Sequence, residues 1–490
     1  MKIGLVLWVL SLICLIVTLF MILPLGLALL DGTPDARAFA LSLVCGLLVS
    51  LLLFLGKRSR GRGREALGTR EALGVVGFAW AIASAVGALP YWSAGTVPSY
   101  VDAFFETMSG FTTTGATILE NIEAAPRGVL LWRSLTHWLG GMGIIVLSLA
   151  VLPFLGIGGM ELFKTEVPGV TAEKLTPRLQ QTALRLWGVY VLLTFTETIL
   201  LMFGGMSLFD AFAHSCSTIA TGGFSTKNTS IAWFHSAYIE WVIIVFMFAS
   251  GVNFSLYFLL FARQFRNFLR DEELRLYVGI VIGSSLAITT FLLIGKLVAG
   301  FEPALRRSAF HVISIMTTTG FITDDFDLWP EFARFLFLLL MVMGACGGST
   351  GGGCKVVRFL LLGRQLKVET LRLLHPRAVI TARFNGRPIP RGIMDSTVAF
   401  LMLYILLAAA STLIVTAFSF SCPGLDLLSA FSGTITCLSN VGPGLNTLGA
   451  VENFAWLPAG VKWLFSFLML AGRLELFAVI LLFLPGTWAR

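Results

Sequence analysis

Apolar residues along the chain come in long, nearly unbroken runs. Ten of them, at roughly 3–30, 38–56, 72–92, 128–156, 182–205, 236–262, 276–299, 331–363, 394–418 and 459–486, are long enough to serve as membrane spans, since crossing a hydrocarbon core of about 30 Å takes about 20 helical residues. Between the third and fourth, fifth and sixth, seventh and eighth, and ninth and tenth runs lie four shorter apolar stretches: Tyr100–Phe111, Leu208–Ile219, Leu305–Met316 and Leu425–Thr436. A helix of 12 residues is about 18 Å long, too short to cross. These four are predicted to enter the membrane and turn back.

Composition agrees with a bilayer setting. Of 490 residues, 56% are hydrophobic and 13% charged, against about 25% charged in soluble domains. Mean hydropathy is +0.86. A water-soluble globule could not cover this much apolar side chain. The net charge of +8 invites a nucleic-acid reading, but its distribution excludes one. The basic residues sit in short loops between apolar runs: at 57–70, around Lys164–Arg185, around Arg263–Arg275, and at 355–391. Such a bias marks the cytoplasmic face of a membrane protein. Both termini are then cytoplasmic, and the four short helices dip from outside. Seven scattered cysteines with no CxxC read as small buried residues. The first apolar run is longer than the core of a cleavable signal, so it is read as an uncleaved span.

After two extra spans the chain repeats one plan four times: span, short helix, polar turn, span. The turns run Phe105 to Gly115, Phe212 to Gly222, Phe310 to Gly320 and Phe431 to Gly442, with Phe-to-Gly spacings of 10, 10, 10 and 11. Such self-similarity sets the architecture. The expected fold is an all-α polytopic membrane protein with four pseudo-fourfold repeats around one pore. The expected division is 1–70 for the two N-terminal helices and 71–180, 181–275, 276–392 and 393–490 for the repeats.

The four turns carry Thr113-Thr114-Gly115, Ala220-Thr221-Gly222, Thr318-Thr319-Gly320 and Asn440-Val441-Gly442. Irregular backbone at membrane depth is tolerated only where it is buried in protein or lines a water-filled path. Glycine permits positive φ, so successive carbonyls can face one axis. Four such loops make rings of oxygens that replace the hydration shell of a monovalent cation, and the negative ends of four short helices favour a cation there. A single Thr-Gly would be an ordinary helix stop; four in register are not.

Three further features bear on function. The eighth run is 33 residues long, about 50 Å as continuous helix, and its middle carries Gly344, Gly347, Gly348, Gly351, Gly352 and Gly353. At about 1 kcal/mol per glycine this stretch opposes helix. It is read as an intramembrane loop below the filter, the alternative being a close helix-packing face. A phosphate-binding loop fails because Cys354 separates Gly353 from Lys355 and no strand precedes it. Arg473 lies mid-span, where charge is costly and functional by default. Glu475, two positions on, faces elsewhere on a helix. Arginine can hold several orphaned carbonyls at once, so the glycine loop and Arg473 are expected to form a gate. Asp324, Asp325, Asp327 and Glu331 follow the third turn and either gather cations at the mouth or form a solvated turn. The five histidines, His137, His214, His235, His311 and His375, show no metal or triad arrangement and are read as structural hydrogen-bonders, and Glu197 is the one deep carboxylate left open as a proton carrier. No nucleophile or metal cluster supports an enzyme.

Gly-Phe-Thr-Thr-Thr-Gly-Ala at 110–116, Ala-Thr-Gly-Gly-Phe-Ser-Thr at 220–226, Thr-Thr-Thr-Gly-Phe at 317–321 and Asn-Val-Gly-Pro-Gly-Leu at 440–445 resemble the Trk/Ktr/HKT superfamily of potassium transporters. So do His137-Trp-Leu-Gly-Gly-Met-Gly143 and Gly472-Arg-Leu-Glu475. The two extra N-terminal spans make the chain most similar to the membrane subunit of the bacterial Trk system. The resemblance implies K+ as the transported ion, filter glycines Gly115, Gly222, Gly320 and Gly442, and the preceding two carbonyls of each turn facing it. Glycine at the first position implies preference for K+ over Na+. It also implies a plasma-membrane homodimer on a cytosolic ring of NAD- or ATP-binding subunits, with 355–391 as a dock. The chain has no nucleotide-binding unit of its own, and no organic cofactor or nucleic-acid partner is expected. Whether K+ moves alone or coupled to H+ or Na+ stays open.

Overall fold

The structure is a computed structural model that describes residues 3–56, 69–143, 179–261, 263–378, 380–420 and 422–483. Its regular structure is almost all helix, as expected. The only strands among the described residues are Arg383–Phe384 and Arg387–Pro388, a two-stranded antiparallel hairpin. None of the seven cysteines is in a disulfide.

Among the described residues five helices are long and apolar enough to cross a bilayer: Ile3–Asp31, Asp35–Leu55, Leu184–Phe203, Glu272–Ile294 and Arg391–Phe420. They expose leucines and phenylalanines such as Leu52, Phe203 and Leu413, the surface a protein shows to lipid and not to water. The other expected spans are shorter or interrupted. The eighth divides into Glu331–Met343 and Val356–Leu374 around the glycine stretch, as expected. The sixth breaks too, bending by 92° between Ala237–Ser250 and Phe254–Leu260. The tenth divides into Ala459–Arg473 and Phe477–Phe483, and the fourth runs as α-helix over Arg127–Trp138 and then as a π-helical turn, Leu139–Gly143. The basic residues at 57–68, Lys164, Lys174 and Arg178 lie outside the described residues. The 355–391 segment, read from sequence as a loop, is mostly the 19-residue helix Val356–Leu374 followed by the hairpin.

The four short helices are Tyr100–Phe111, Leu208–Ile219, Phe301–Met316 and Leu427–Ser439. Their starts are written locally. Ser99 and Ser207 accept from the backbone N–H of Asp102 and Asp210, and Asp426 accepts from that of Ser429. Each capping oxygen satisfies one orphaned donor, and Asp102 and Asp210 add negative charge where the helix dipole favours it.

Candidate functional site

The ends of the four short helices share one hydrogen-bonding register. The N–H groups of Thr114, Gly222, Thr319 and Val441 donate five residues back, to the carbonyls of Ser109, Ser217, Ser314 and Thr436, at 2.8, 2.8, 2.8 and 3.0 Å. The residue before each has left-handed φ: 52° at Thr113, 55° at Thr221, 59° at Thr318 and 58° at Asn440. The residue after each is a glycine with φ of 82° at Gly115, 79° at Gly223, 80° at Gly320 and 106° at Gly442. Left-handed backbone costs an L-residue roughly 1–2 kcal/mol, and for β-branched threonine it is an outlier. Three threonines held there at one register are strain of the kind that gathers at ligand clamps.

This register changes one assignment. In the second repeat the left-handed glycine is Gly223, not Gly222, which takes the place of Thr114, Thr319 and Val441. The equivalent of Thr113-Thr114-Gly115 is therefore Thr221-Gly222-Gly223, one position later than Ala220-Thr221-Gly222. Two adjacent glycines left the register open, and equal Phe-to-Gly spacing selected the wrong one. Gly222 has its own reason to be glycine: a Cβ there would enter the His137 ring.

The loops touch in a closed cycle. A Cβ on Gly115 would meet the carbonyl oxygen of Gly222, one on Gly223 that of Thr319, one on Gly320 that of Val441, and one on Gly442 that of Thr114. Asn440 Nδ2 ties the fourth loop back to the first, donating to Thr114 Oγ1 at 3.0 Å. Outside the ring lies a cavity of about 240 Å³ lined by the four glycines Gly115, Gly223, Gly320 and Gly442, with Glu120 and Glu452 at its walls.

The acidic residues after the third turn do not line that cavity. Asp324 is paired with Arg307 at 2.7 Å, Asp327 with Arg334 at 3.4 Å, and Glu331 with Arg334 at 2.7 Å. Burial holds the Asp327 carboxyl above the usual carboxylate range, against the lowering pull of the Asn446 N–H and Arg334. Of the two readings the sequence left open, the paired turn fits these carboxylates, since Arg307 and Arg334 hold Asp324, Asp327 and Glu331.

Three groups brace the ring from behind; sequence reasoning missed Glu106, while His214 and His311 are the structural hydrogen-bonders it expects. Glu106, His214 and His311 each lie three residues before the serine that accepts the loop N–H. Glu106 accepts from the N–H of Ile118 at 2.8 Å, His214 Nε2 meets Ser225 Oγ at 2.9 Å, and His311 Nε2 meets the carbonyl of Asp324 at 3.1 Å. Aligning the repeats on the left-handed glycines would have revealed the series. Glu106 also forms a fully buried ion pair with Arg133 at 2.8 Å. Arg133 in turn donates to the carbonyl of Ser225 at 2.9 Å and lies over the Phe224 ring at 4.1 Å.

Below the ring, the inner helices of the second, third and fourth repeats break, and that of the first turns π-helical over Leu139–Gly143. Cβ atoms on Gly140 and Gly472 would meet the carbonyls of Phe111 and Leu438, equivalent positions at the base of the first and fourth turns. Gly251 abuts the Thr317 side chain, at the base of the third. The glycine stretch of the third repeat lies against the same level. The N–H of Gly352 donates to Thr318 Oγ1 at 2.6 Å, the N–H of Gly353 to the carbonyl of Ser439 at 2.9 Å, and Thr350 Oγ1 to the carbonyl of Ile219 at 3.0 Å. Gly344, Gly348 and Gly353 all have positive φ, near 72°. Arg473 Nη1 donates to the carbonyl of Thr350 at 2.8 Å, and Nη2 to those of Gly140 and Gly141 at 3.0 Å each. Lys355 Nζ donates to the carbonyl of Gly351. Glu475 pairs with Arg358 at 2.8 Å. Glu197 is buried with no hydrogen bond to either carboxyl oxygen. Among the described residues no group of three or more His, Cys, Asp or Glu is placed to hold a metal ion.

A shell of apolar helices around four shorter ones, with a closed ring of loops above interrupted inner helices, defines a polytopic α-helical membrane transport protein. The chain belongs to the TrkH family, described as cation transport proteins, whose family model matches residues 36–487. Among curated relatives, the Trk system potassium uptake protein TrkH of Salmonella typhimurium is 40% identical over 471 residues, covering 96% of this chain and 95% of that protein. TrkH of Halomonas elongata is 38% identical over the full length of both. The crystal structure of the potassium transporter TrkH from Vibrio parahaemolyticus matches with a TM-score of 0.88 and 35% identity, covering all of both chains.

Proposed function

We propose that this chain takes up K+ across the cytoplasmic membrane through a selective, gated pore. The observation that carries the reading is the closed cycle of four loops with left-handed backbone at alternate residues, Thr113 and Gly115, Thr221 and Gly223, Thr318 and Gly320, Asn440 and Gly442. Alternation of left- and right-handed residues turns successive carbonyls to one side, and four strands of them offer a dehydrated cation a ring of oxygens. The names of the potassium-uptake relatives support K+ as the ion.

The glycine loop and Arg473 are the gate. They fill the space directly under the ring, and the guanidinium puts fixed positive charge on the cation's route while it bonds the carbonyls of Thr350, Gly140 and Gly141. The working form is a homodimer on a cytosolic ring of nucleotide-binding subunits, with both termini and the Val356–Leu374 helix on the cytosolic side. Proteoliposome flux with a K+ gradient alone tests the pore reading. Uptake that proceeds without an H+ or Na+ gradient supports it, and uptake that requires one overturns it in favour of coupled transport. The second reading rests on Glu197, whose unpartnered buried carboxyl would be the proton carrier; Glu197→Gln abolishing H+-dependent uptake would favour it.

A further inference from the structure

Glu273, in the first turn of helix Glu272–Ile294, is 5% exposed and turns its carboxylate into the gate region. A single oxygen, Oε1, accepts from the N–H of Gly347 at 2.6 Å and from the N–H of Val357 at 3.1 Å. Gly347 lies near the start of the glycine stretch, and Val357 is the second residue of the helix that follows it. One carboxylate therefore holds the two ends of the loop together.

The two residues before Glu273 face the cytosolic hairpin. Asn385, at its tip, makes reciprocal bonds with Glu272: its Oδ1 accepts from the Glu272 N–H at 3.0 Å, and its own N–H donates to Glu272 Oε2 at 2.9 Å. Its Nδ2 donates to Asp271 Oδ2 at 2.8 Å. Arg364, from the helix after the loop, pairs with Glu272 at 2.7 Å. Positive φ at Asn385 and Gly386, 48° and 78°, is what a two-residue hairpin turn requires and presents the asparagine to the acidic pair. Phe384, next to it, is buried in one cluster with Val357 and Leu361. The hairpin is thus attached to both elements that Glu273 joins.

Helix capping alone accounts for Asp271 and for the charge of Glu272. It does not account for a buried carboxylate in the same turn bonding N–H groups of another segment. We propose that Glu273 is a positioning residue for the gate, and that the Asn385-Gly386 hairpin is the cytosolic handle that sets it. With the hairpin seated on Asp271 and Glu272, Glu273 keeps the loop ends together and the loop under the ring. Lifting the hairpin frees Glu273, the loop ends part, and the route opens. The inference rests on reading the glycine loop as a gate.

The test is K+ flux, with the K+/Na+ flux ratio, for the full chain in proteoliposomes. Glu273→Ala and Asn385→Ala should each raise K+ flux several-fold at an unchanged ratio. Glu273→Gln, which keeps an acceptor oxygen in place, should stay near the parent. The double Glu273→Ala, Asn385→Ala variant should not exceed Glu273→Ala alone, because the hairpin acts through Glu273. Should Glu273→Ala not fold, Asn385→Ala, on the exposed surface, decides by itself. Deleting 347–352 separates the two claims. If the deletion raises flux while the alanine variants conduct at or below the parent level, the handle is wrong and the gate stands. If the deletion does not raise flux, the gate reading falls and takes this inference with it.

Discussion

Arg473 Nη1 and the carbonyl of Thr350 meet at 2.8 Å, joining the last repeat's inner helix to the glycine loop of the third. Nη2 reaches Gly140 and Gly141 of the first repeat from the same side chain. Glycines occupy the matching positions in the first and second inner helices, Gly141 and Gly251, and the third repeat brings the buried Lys355 to the same loop; the long cation at the matching position of the fourth is Arg473.

Replacing that cation should open the route. Each hydrogen bond from a charged donor contributes about 1.5–3 kcal/mol, and 1.4 kcal/mol is a tenfold change in an equilibrium. Arg473→Gln is therefore expected to raise K+ flux about tenfold or more, with little change in K+/Na+ ratio. Single-channel or liposome flux checks it, and a folded variant conducting less than the parent would make Arg473 a permeation or packing element.

The Glu106–Arg133 pair should matter to stability more than to gating. Removing one partner of a fully buried pair leaves a charge without compensation, at a cost of about 3 kcal/mol or more. Glu106→Gln should lower the thermal unfolding midpoint in detergent. Adding Arg133→Leu should recover part of the loss, as a double-mutant cycle would record. A loss in the double variant equal to the sum of the two single losses would mean that the two residues act independently.

Much of this was legible in the chain. The short helices follow from apolar stretches too short to span, and two of the four agree with the structure at both ends. The loop at 344–353 follows from glycine content, and the Arg473 contact from orphaned carbonyls needing a donor. Other parts were not. The 92° bend after Ser250 depends on Gly251 lying against Thr317 and Tyr277, a tertiary contact that hydropathy does not register. The Glu106, His214 and His311 series is hidden by the adjacent glycines Gly222 and Gly223, which leave the register of the second repeat open by one residue. Whether Asp324, Asp327 and Glu331 gather cations or form a turn stays open in the sequence, because pairing with Arg307 and Arg334 is decided by how the helices pack.

Docking of the cytosolic ring should depend on the basic surface around Val356–Leu374 and the hairpin. Neutralising Arg372, Arg377 and Arg383 together is expected to weaken ring binding at physiological salt, where surface charge acts within about 8 Å. Pull-down of the ring with detergent-solubilised protein reads this directly. Binding equal to the parent's would assign the charge to anionic lipid headgroups instead.

The central claim, that the four loops select K+, is tested most directly by the K+/Na+ flux ratio of Gly115→Ser. A Cβ at Gly115 must enter the space of the Gly222 carbonyl at a φ of 82° that disfavours any side chain. The ring would have to distort, and the account predicts that Na+ then passes and the ratio falls sharply. Thr117→Ser, which keeps the hydroxyl that bonds Glu106, should leave the ratio at the parent's value. A Gly115→Ser protein that folds, conducts K+ and discriminates against Na+ as the parent does would contradict the assignment of these loops as the filter.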